Sequence, residues 1–254
     1  YLQVIEAAKS VIDAQQIPPE IETNIRRQSV LKSSLFSARI EGNPLTLEEV
    51  TNRPSGDQKK REVYNVLKGL QFVHQRGHRD VTHSSLLELH KKVMAGLADR
   101  VHTGRFRTEV SAIFNTAGIA IYLPPPPKQI ETLVTKLLKY TNSDKEPFVP
   151  IRACLAHYTF EKIHPFLDGN GRVGRLLLQA VLEKSGYGMK GLLTVEEYLD
   201  KHRSEYYRGF EASDKDVTDY LEFMLKAIAE TSEKAKELVL KQKTSEPEDF
   251  LLPR

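Results

Sequence analysis

Apolar residues recur every three or four positions along most of this chain, the spacing of helices buried on one face. Ile21, Ile25, Leu31 and Leu35 form a loose stripe. Pro18 and Pro19 stand where a helix can start, and Gly42-Asn43-Pro44 stops it, with Gly in the position after the last turn. The pattern predicts a helix to about Glu41. Thr46-x-x-Glu49 is a capping-box pattern for a short helix after it. Val63, Val66, Leu67, Leu70 and Val73 repeat at helical spacing up to Gly77, and Leu86, Leu87, His90, Val93, Met94 and Leu97 repeat it again.

Between residues 103 and 127 this rhythm breaks. "SAIF" and "IAIYL" flank "NTAG", which reads as a short β-hairpin, and four prolines at 124–127 stop it. Helical spacing returns with Ile130, Leu133, Val134, Leu137 and Leu138. The next helix starts at Pro150 and should end near His164, because the residue before a proline avoids the α region. Leu176–Leu182 begins another, closing at Gly186. Thr194-x-x-Glu197 caps one more, and a long helix covers roughly 217–243. The chain therefore reads as all-α with one small hairpin. Its expected division is N-terminal helices over 1–50, a main domain over 51–230, and a helix end and polar linker over 231–254.

Composition narrows the picture. The 254 residues are 40% apolar, enough for one large domain or a domain with an appendage. The 37 basic and 34 acidic residues leave a formal charge of +3, too little to argue for nucleic acid. A single cysteine, Cys154, forbids an internal disulfide and fits a reducing compartment. No apolar run approaches the roughly 20 residues of a membrane span, and no signal-peptide pattern opens the chain. A cytoplasmic location is expected, with the natural N-terminus further upstream, since the chain opens on Tyr1.

The densest chemistry lies in "HPFLDGNGRVGR", residues 164–175. His164 falls at a helix end and can act as a general base. Asp168-Gly169-Asn170-Gly171 is a turn whose bare amides then open a helix, a ready anion site. Arg172 and Arg175 share one face of that helix. Amides, two guanidinium forks and a carboxylate able to hold Mg²⁺ suit a polyphosphate. A lone Asp-Gly-Asn-Gly is usually only a turn, and a lone helix-end His usually a cap. The complete pattern is far rarer than its parts.

That pattern resembles the Fic signature, His-Pro-Phe-x-Asp/Glu-Gly-Asn-Gly-Arg-x-x-Arg, at every fixed position. The resemblance extends from about residue 30 to 225. It implies an all-helical Fic-type domain with a hairpin flap that moves AMP from ATP onto a Ser, Thr or Tyr hydroxyl of a protein, itself included. It implies His164 as base, Phe166 as a buried anchor, and Asp168 as the Mg²⁺ ligand. Gly169, Asn170, Gly171 and Arg172 would line the phosphate cradle, Arg175 would take the γ-phosphate, and Tyr206 and Tyr207 would lie near the adenosine. Without the family, that tyrosine pair reads as core. Asp214 stands where some relatives place an Asn near the nucleotide. Gly171 stands where the phosphate-transferring Doc branch has a Lys, which favours AMP transfer.

The resemblance adds an inhibitory motif. "SARIEGN" (37–43) matches the family's Ser/Thr-x-x-x-Glu-Gly/Asn at Ser37, Glu41 and Gly42. Ser37 and Glu41 share a helix face, and Glu41 would compete with the γ-phosphate for Arg175. The second hairpin strand, Ile119, Ala120, Ile121 and Tyr122, aligns with the flap that docks an extended target segment. Two alternatives stay open: an AMP-removing hydrolase in which Glu41 positions water, and a non-enzymatic nucleotide sensor, which would carry an altered His or Arg. Homodimers are common in the family. "FLLPR" (250–254) resembles the junction before a winged-helix domain in longer relatives, so a continuation is expected there.

Overall fold

The computed structural model describes residues 1–52, 54, 56–99, 101–114, 120–211 and 216–242. Its centre is the antiparallel pair α7 (Val149–Ile163) and α8 (Asn170–Lys184), joined by the His164–Gly169 loop. The two helices pack on each other, α7 burying Ala153, Cys154, Ala156 and Phe160 and α8 burying Val173, Leu177, Leu178 and Val181. Around this pair pack α4 (Gln58–Arg76), α5 (His83–Val93) and α6 (Pro127–Thr141).

Helix α2 (Pro19–Ile40) lies across α4 and α9 (Val195–Lys201) and ends at the site, with Glu41 as its cap residue and Gly42 at φ 94°. Its buried face is only partly apolar: Ser29, Ser33, Ser34 and Ser37 are buried beside Ile25, Leu35 and Ile40. Two of these hydroxyls bond within the fold. Ser34 returns its hydroxyl to the Val30 carbonyl (2.7 Å), and Ser33 donates to Glu196 of α9.

Helix α1 (Leu2–Ala14) buries Ile5, Ala8 and Ile12 against the long α11 (Thr218–Lys241). α3 (Leu47–Asn52) begins with the expected capping box: Thr46 N–H donates to Glu49 (2.8 Å), and Glu49 N–H to the Thr46 hydroxyl (3.3 Å). α10 (Arg203–Arg208) carries the tyrosine pair. Strands β1 (Ile113–Phe114) and β2 (Ala120–Tyr122) pair antiparallel, Ile113 opposite Tyr122. Ile119 of the expected flap lies outside the described residues, as do Asp214 and "FLLPR".

Three expectations need correction. α5 stops at Val93 instead of continuing to Leu97, because the Asn65 amide reaches across from α4 to the Val93 and Ala95 carbonyls (3.0 and 2.9 Å), ending the ladder. Thr194 makes no side-chain cap at α9: the Glu197 N–H donates to the Thr194 carbonyl instead (3.0 Å), and the Glu197 carboxylate pairs with Lys201. α8 starts at Asn170, inside the glycine turn, six residues before the apolar run at Leu176. No helix among the described residues is long and apolar enough to cross a membrane.

Candidate active site

The loop between α7 and α8 is fixed from several sides. His164 caps α7 in the left-handed conformation (φ 48°, ψ 60°), a position His adopts more readily than most residues but still at some strain. Pro165 then directs the chain away. Phe166 is fully buried, stacked on the His90 ring with centroids 3.9 Å apart, and touches Phe106 and Phe160. Asn170 clasps the same residue: its side-chain oxygen accepts from Phe166 N–H (2.9 Å) and its amide donates to the Phe166 carbonyl (2.8 Å). This side chain therefore staples the loop. What Asn170 leaves for a ligand is its backbone N–H.

His90 holds the other side. Its Nε2 meets the Asp168 carbonyl (3.0 Å), and its Nδ1 accepts from Gly104 N–H (2.8 Å). Only the neutral ring protonated at Nε2 satisfies both partners. Burial, aided by Arg172, pushes its pKa down to about 4, so it stays neutral. Gly169, at φ 80°, packs against Met94, where a side chain would collide with the sulfur. The Asp168 side chain remains open to solvent (68% exposed), accepting from its neighbour Gly169 N–H and standing 3.4 Å from Arg172.

The first amides of α8 have no partner inside the helix. Above them lies Glu41. Its carboxylate sits against the Gly171 Cα, where any Cβ would strike Glu41 Oε1 and come within 3.2 Å of Arg175 Nη1. Arg175 is 1% exposed, and two of its three guanidinium nitrogens bond the end of α2. Its Nε donates to the Ser37 hydroxyl (3.0 Å), and its Nη2 to the Ser37 carbonyl (2.9 Å) and to Glu41 Oε1 (2.7 Å). Burial alone would raise the Glu41 pKa, but Arg175, Arg172 and Arg203 outweigh it and hold it below the carboxylate range. Burial likewise works against the Arg175 charge, and Glu41 reverses that effect. Both groups are ionised at neutral pH.

His164 is pushed down to about 4 by burial, with Arg107 adding to the effect and the Glu161 carbonyl, Glu41 and Asp168 opposing it. Its Nδ1 is buried, which leaves Nε2 to take a proton. Deeper down, His157 Nε2 meets the Tyr206 hydroxyl (2.8 Å), and its Nδ1 faces Glu161 Oε1 at 3.8 Å. Burial pushes Glu161 up to about 8 and His157 down to about 3, so both are neutral.

The tyrosine pair splits. Tyr206 is 1% exposed and belongs to this buried layer. Tyr207 is half exposed and donates its hydroxyl to the Ile40 carbonyl (3.0 Å), the last residue of α2. On the hairpin side, Tyr122 donates to the Lys162 carbonyl (2.9 Å) and ties β2 to α7. Sequence reasoning placed His90 on an apolar stripe and missed its work. It also missed His157 and Glu161. The only signal for any of them is a polar residue at a helix position expected to be buried.

Asp168 is the more exposed of the two acids over the loop, Glu41 being held by Arg175, and no group of three metal-ligating side chains lies among the described residues. The arrangement suits a cation that takes one carboxylate and fills its other positions with phosphate oxygens and water, as Mg²⁺ does. Residues 80–182, which contain this entire loop, all of α7 and α8 as far as Leu182, match the profile of the Fic/DOC family. The chain carries a Fic domain. Curated relatives called protein adenylyltransferase Fic, from Drosophila melanogaster and Drosophila sechellia, are each 29% identical over 252 residues. These matches cover 93% of this chain and 48% of theirs, so the chain spans about half the length of those relatives. A Fic family protein from Desulfovibrio desulfuricans G20 superposes with a TM-score of 0.78 at 29% identity, covering 97% of this chain and 76% of that one. Fic-1 from C. elegans shares the fold at a TM-score of 0.76 and 23% identity, covering 96% and 72%.

Proposed function

We propose that this Fic domain transfers AMP from ATP to a Ser, Thr or Tyr hydroxyl of a protein, itself included, and that Glu41 restrains the reaction. The observation that carries the reading is the Glu41 carboxylate, paired to Arg175 at 2.7 Å and lying over Gly171 at the amide-rich start of α8. A triphosphate needs that same space and that same guanidinium.

In the proposed reaction the amides at the start of α8 and Arg172 hold the phosphates. Asp168 would hold Mg²⁺, which would supply charge neutralisation to the phosphates. His164 Nε2 takes the proton of the target hydroxyl. The hydroxyl oxygen bonds to the α-phosphorus, and pyrophosphate leaves. The β2 edge receives the target segment by strand addition. Such a site contributes mainly in-line geometry. With Arg175 occupied by Glu41, the γ-phosphate has no fork, and the α-phosphorus is held out of line.

The test is α-labelled ATP with the parent, Glu41→Gly, Arg175→Ala and the double variant. Glu41→Gly should raise AMP transfer by about 10²-fold, the scale of correcting a misplaced reactant. Arg175→Ala should abolish that gain. Intact mass should show one added AMP per chain on self-modification. A Glu41→Gly variant no faster than the parent defeats the inhibitory reading. If it instead loses an AMP-releasing activity on modified protein, Glu41 is positioning water and the enzyme is a hydrolase.

A further inference from the structure

Arg107 lies in the segment between α5 and the hairpin and is buried (4% exposed). Its Nε donates to the His164 carbonyl (2.8 Å) and its backbone N–H to the Pro165 carbonyl (2.9 Å). The other two corners of the guanidinium go elsewhere. Nη1 donates to the Glu109 carbonyl (2.9 Å), ahead of β1, and Nη2 to the Pro125 carbonyl (2.6 Å), behind β2. Every one of these acceptors is a backbone carbonyl. One planar fork thus joins the left-handed cap of α7 to both feet of the hairpin. Val110 and Leu123, next to those feet, are among the most exposed large apolar residues.

Two physical points give this arrangement meaning. A carbonyl at a helix C-terminus lacks an intrahelical partner and favours a cation. A non-glycine residue in the left-handed region persists only where its surroundings over-determine it. Arg107 supplies the partner and part of that constraint at the residue proposed to act as base. A rigid three-cornered donor can also fix three acceptors in one plane, which a lysine ammonium on a flexible stem does not.

We infer that Arg107 is a positioning residue that locks the His164 backbone to both feet of the hairpin, so that seating a target strand and aiming the imidazole are one mechanical event. This rests on the reading of His164 as the base and β2 as the docking strand. The hairpin is thereby more than an adhesive edge, and target docking acts on rate as well as on affinity.

The experiment uses Arg107→Gln and Arg107→Lys, each alone and with Glu41→Gly. Amide exchange by mass spectrometry should rise together in residues 108–114, 120–125 and 163–166, while α4 and α11 keep their protection. In the Glu41→Gly background both variants should lose about 10²-fold in kcat for AMP transfer. KM for ATP should stay near its starting value, because Arg107 touches none of the amides at the start of α8. Lysine should not restore the rate, since it keeps the charge without the fork. In the unsubstituted protein the Arg107 Nε–H resonance should exchange slowly in NMR spectra, which tests the lock even if both variants misfold. The inference is overturned if exchange rises at the hairpin alone, if Arg107→Lys transfers at the unsubstituted rate, or if the Nε–H exchanges as freely as a surface arginine. If Glu41→Gly itself transfers no AMP, the proposed function fails while the exchange measurements still decide the lock.

Discussion

At the scale of single residues, the site depends on charges kept where burial would remove them and on rings kept neutral where solvent would protonate them. Glu41 and Arg175 keep their charges by facing each other. His164 stays neutral chiefly because it is buried, with Arg107 close by. A general base works only in its neutral form, so a pKa lowered to about 4 extends the working range downward in pH. In the Glu41→Gly variant, AMP transfer should therefore hold its rate from pH 7.5 to about 5, where an ordinary imidazole titrating near 6.5 would already be mostly protonated. Removing Glu41 strengthens the effect, because Glu41 is one of the groups favouring the charged ring. Initial rates with labelled ATP across that range check it; a rate that halves near pH 6.5 shows a ring in contact with solvent. The residue types of this site were legible because the 164–175 motif is contiguous. The buried pair His157 and Glu161 was not, since only the packing of α7 on α8 reveals that both lie under Arg175.

At the scale of elements, helix ends decide where the functional groups stand, and their partners come from far along the chain. Asn65 ends α5, Arg107 holds the end of α7, and Tyr207 holds the end of α2. Local cap chemistry such as Thr46 with Glu49 can be read from spacing; these long-range caps cannot, because their partners are 28 to 167 residues away. The starts and stops of helices were accordingly legible at prolines and glycines and wrong at Leu97 and Leu176. The Tyr207 cap bears on the proposed restraint by Glu41. Its hydroxyl fixes the carbonyl just before Glu41, and a typical hydrogen bond of this kind contributes about 0.5–1.5 kcal/mol net. Tyr207→Phe should loosen the end of α2 and raise AMP transfer by the otherwise unsubstituted protein roughly 2- to 10-fold. ATP titration run beside it separates two roles. An unchanged ATP affinity with a faster rate marks a helix tether, whereas weaker ATP binding with no gain in rate marks a nucleotide contact.

At the scale of the whole molecule, the N- and C-terminal helices complete one core. Amphipathic stripes announce that α1 and α11 each have a face to bury, but not that they bury it against each other. That is why the sequence divides into N-terminal helices, a main domain and a C-terminal end, while the packing runs across those boundaries. Ile5 and Ile12 of α1 belong to the same continuous cluster as Leu177 of α8 and Ala235 and Val239 of α11. α11 itself passes residue 230 without a break. A cavity opened at one end should therefore be felt by the entire fold. Ile12 is fully buried, so Ile12→Ala should cost about 2–5 kcal/mol through lost contacts and the cavity left behind. For a chain of this size each kcal/mol lowers the melting temperature by about 2–4 °C. Calorimetry should show one endotherm moved down as a unit, with near-UV circular dichroism and the release of the Glu41–Arg175 contact following the same curve. Two endotherms, with only the smaller one shifted by the substitution, would mean that α1 and α11 form a separate body resting on the Fic domain.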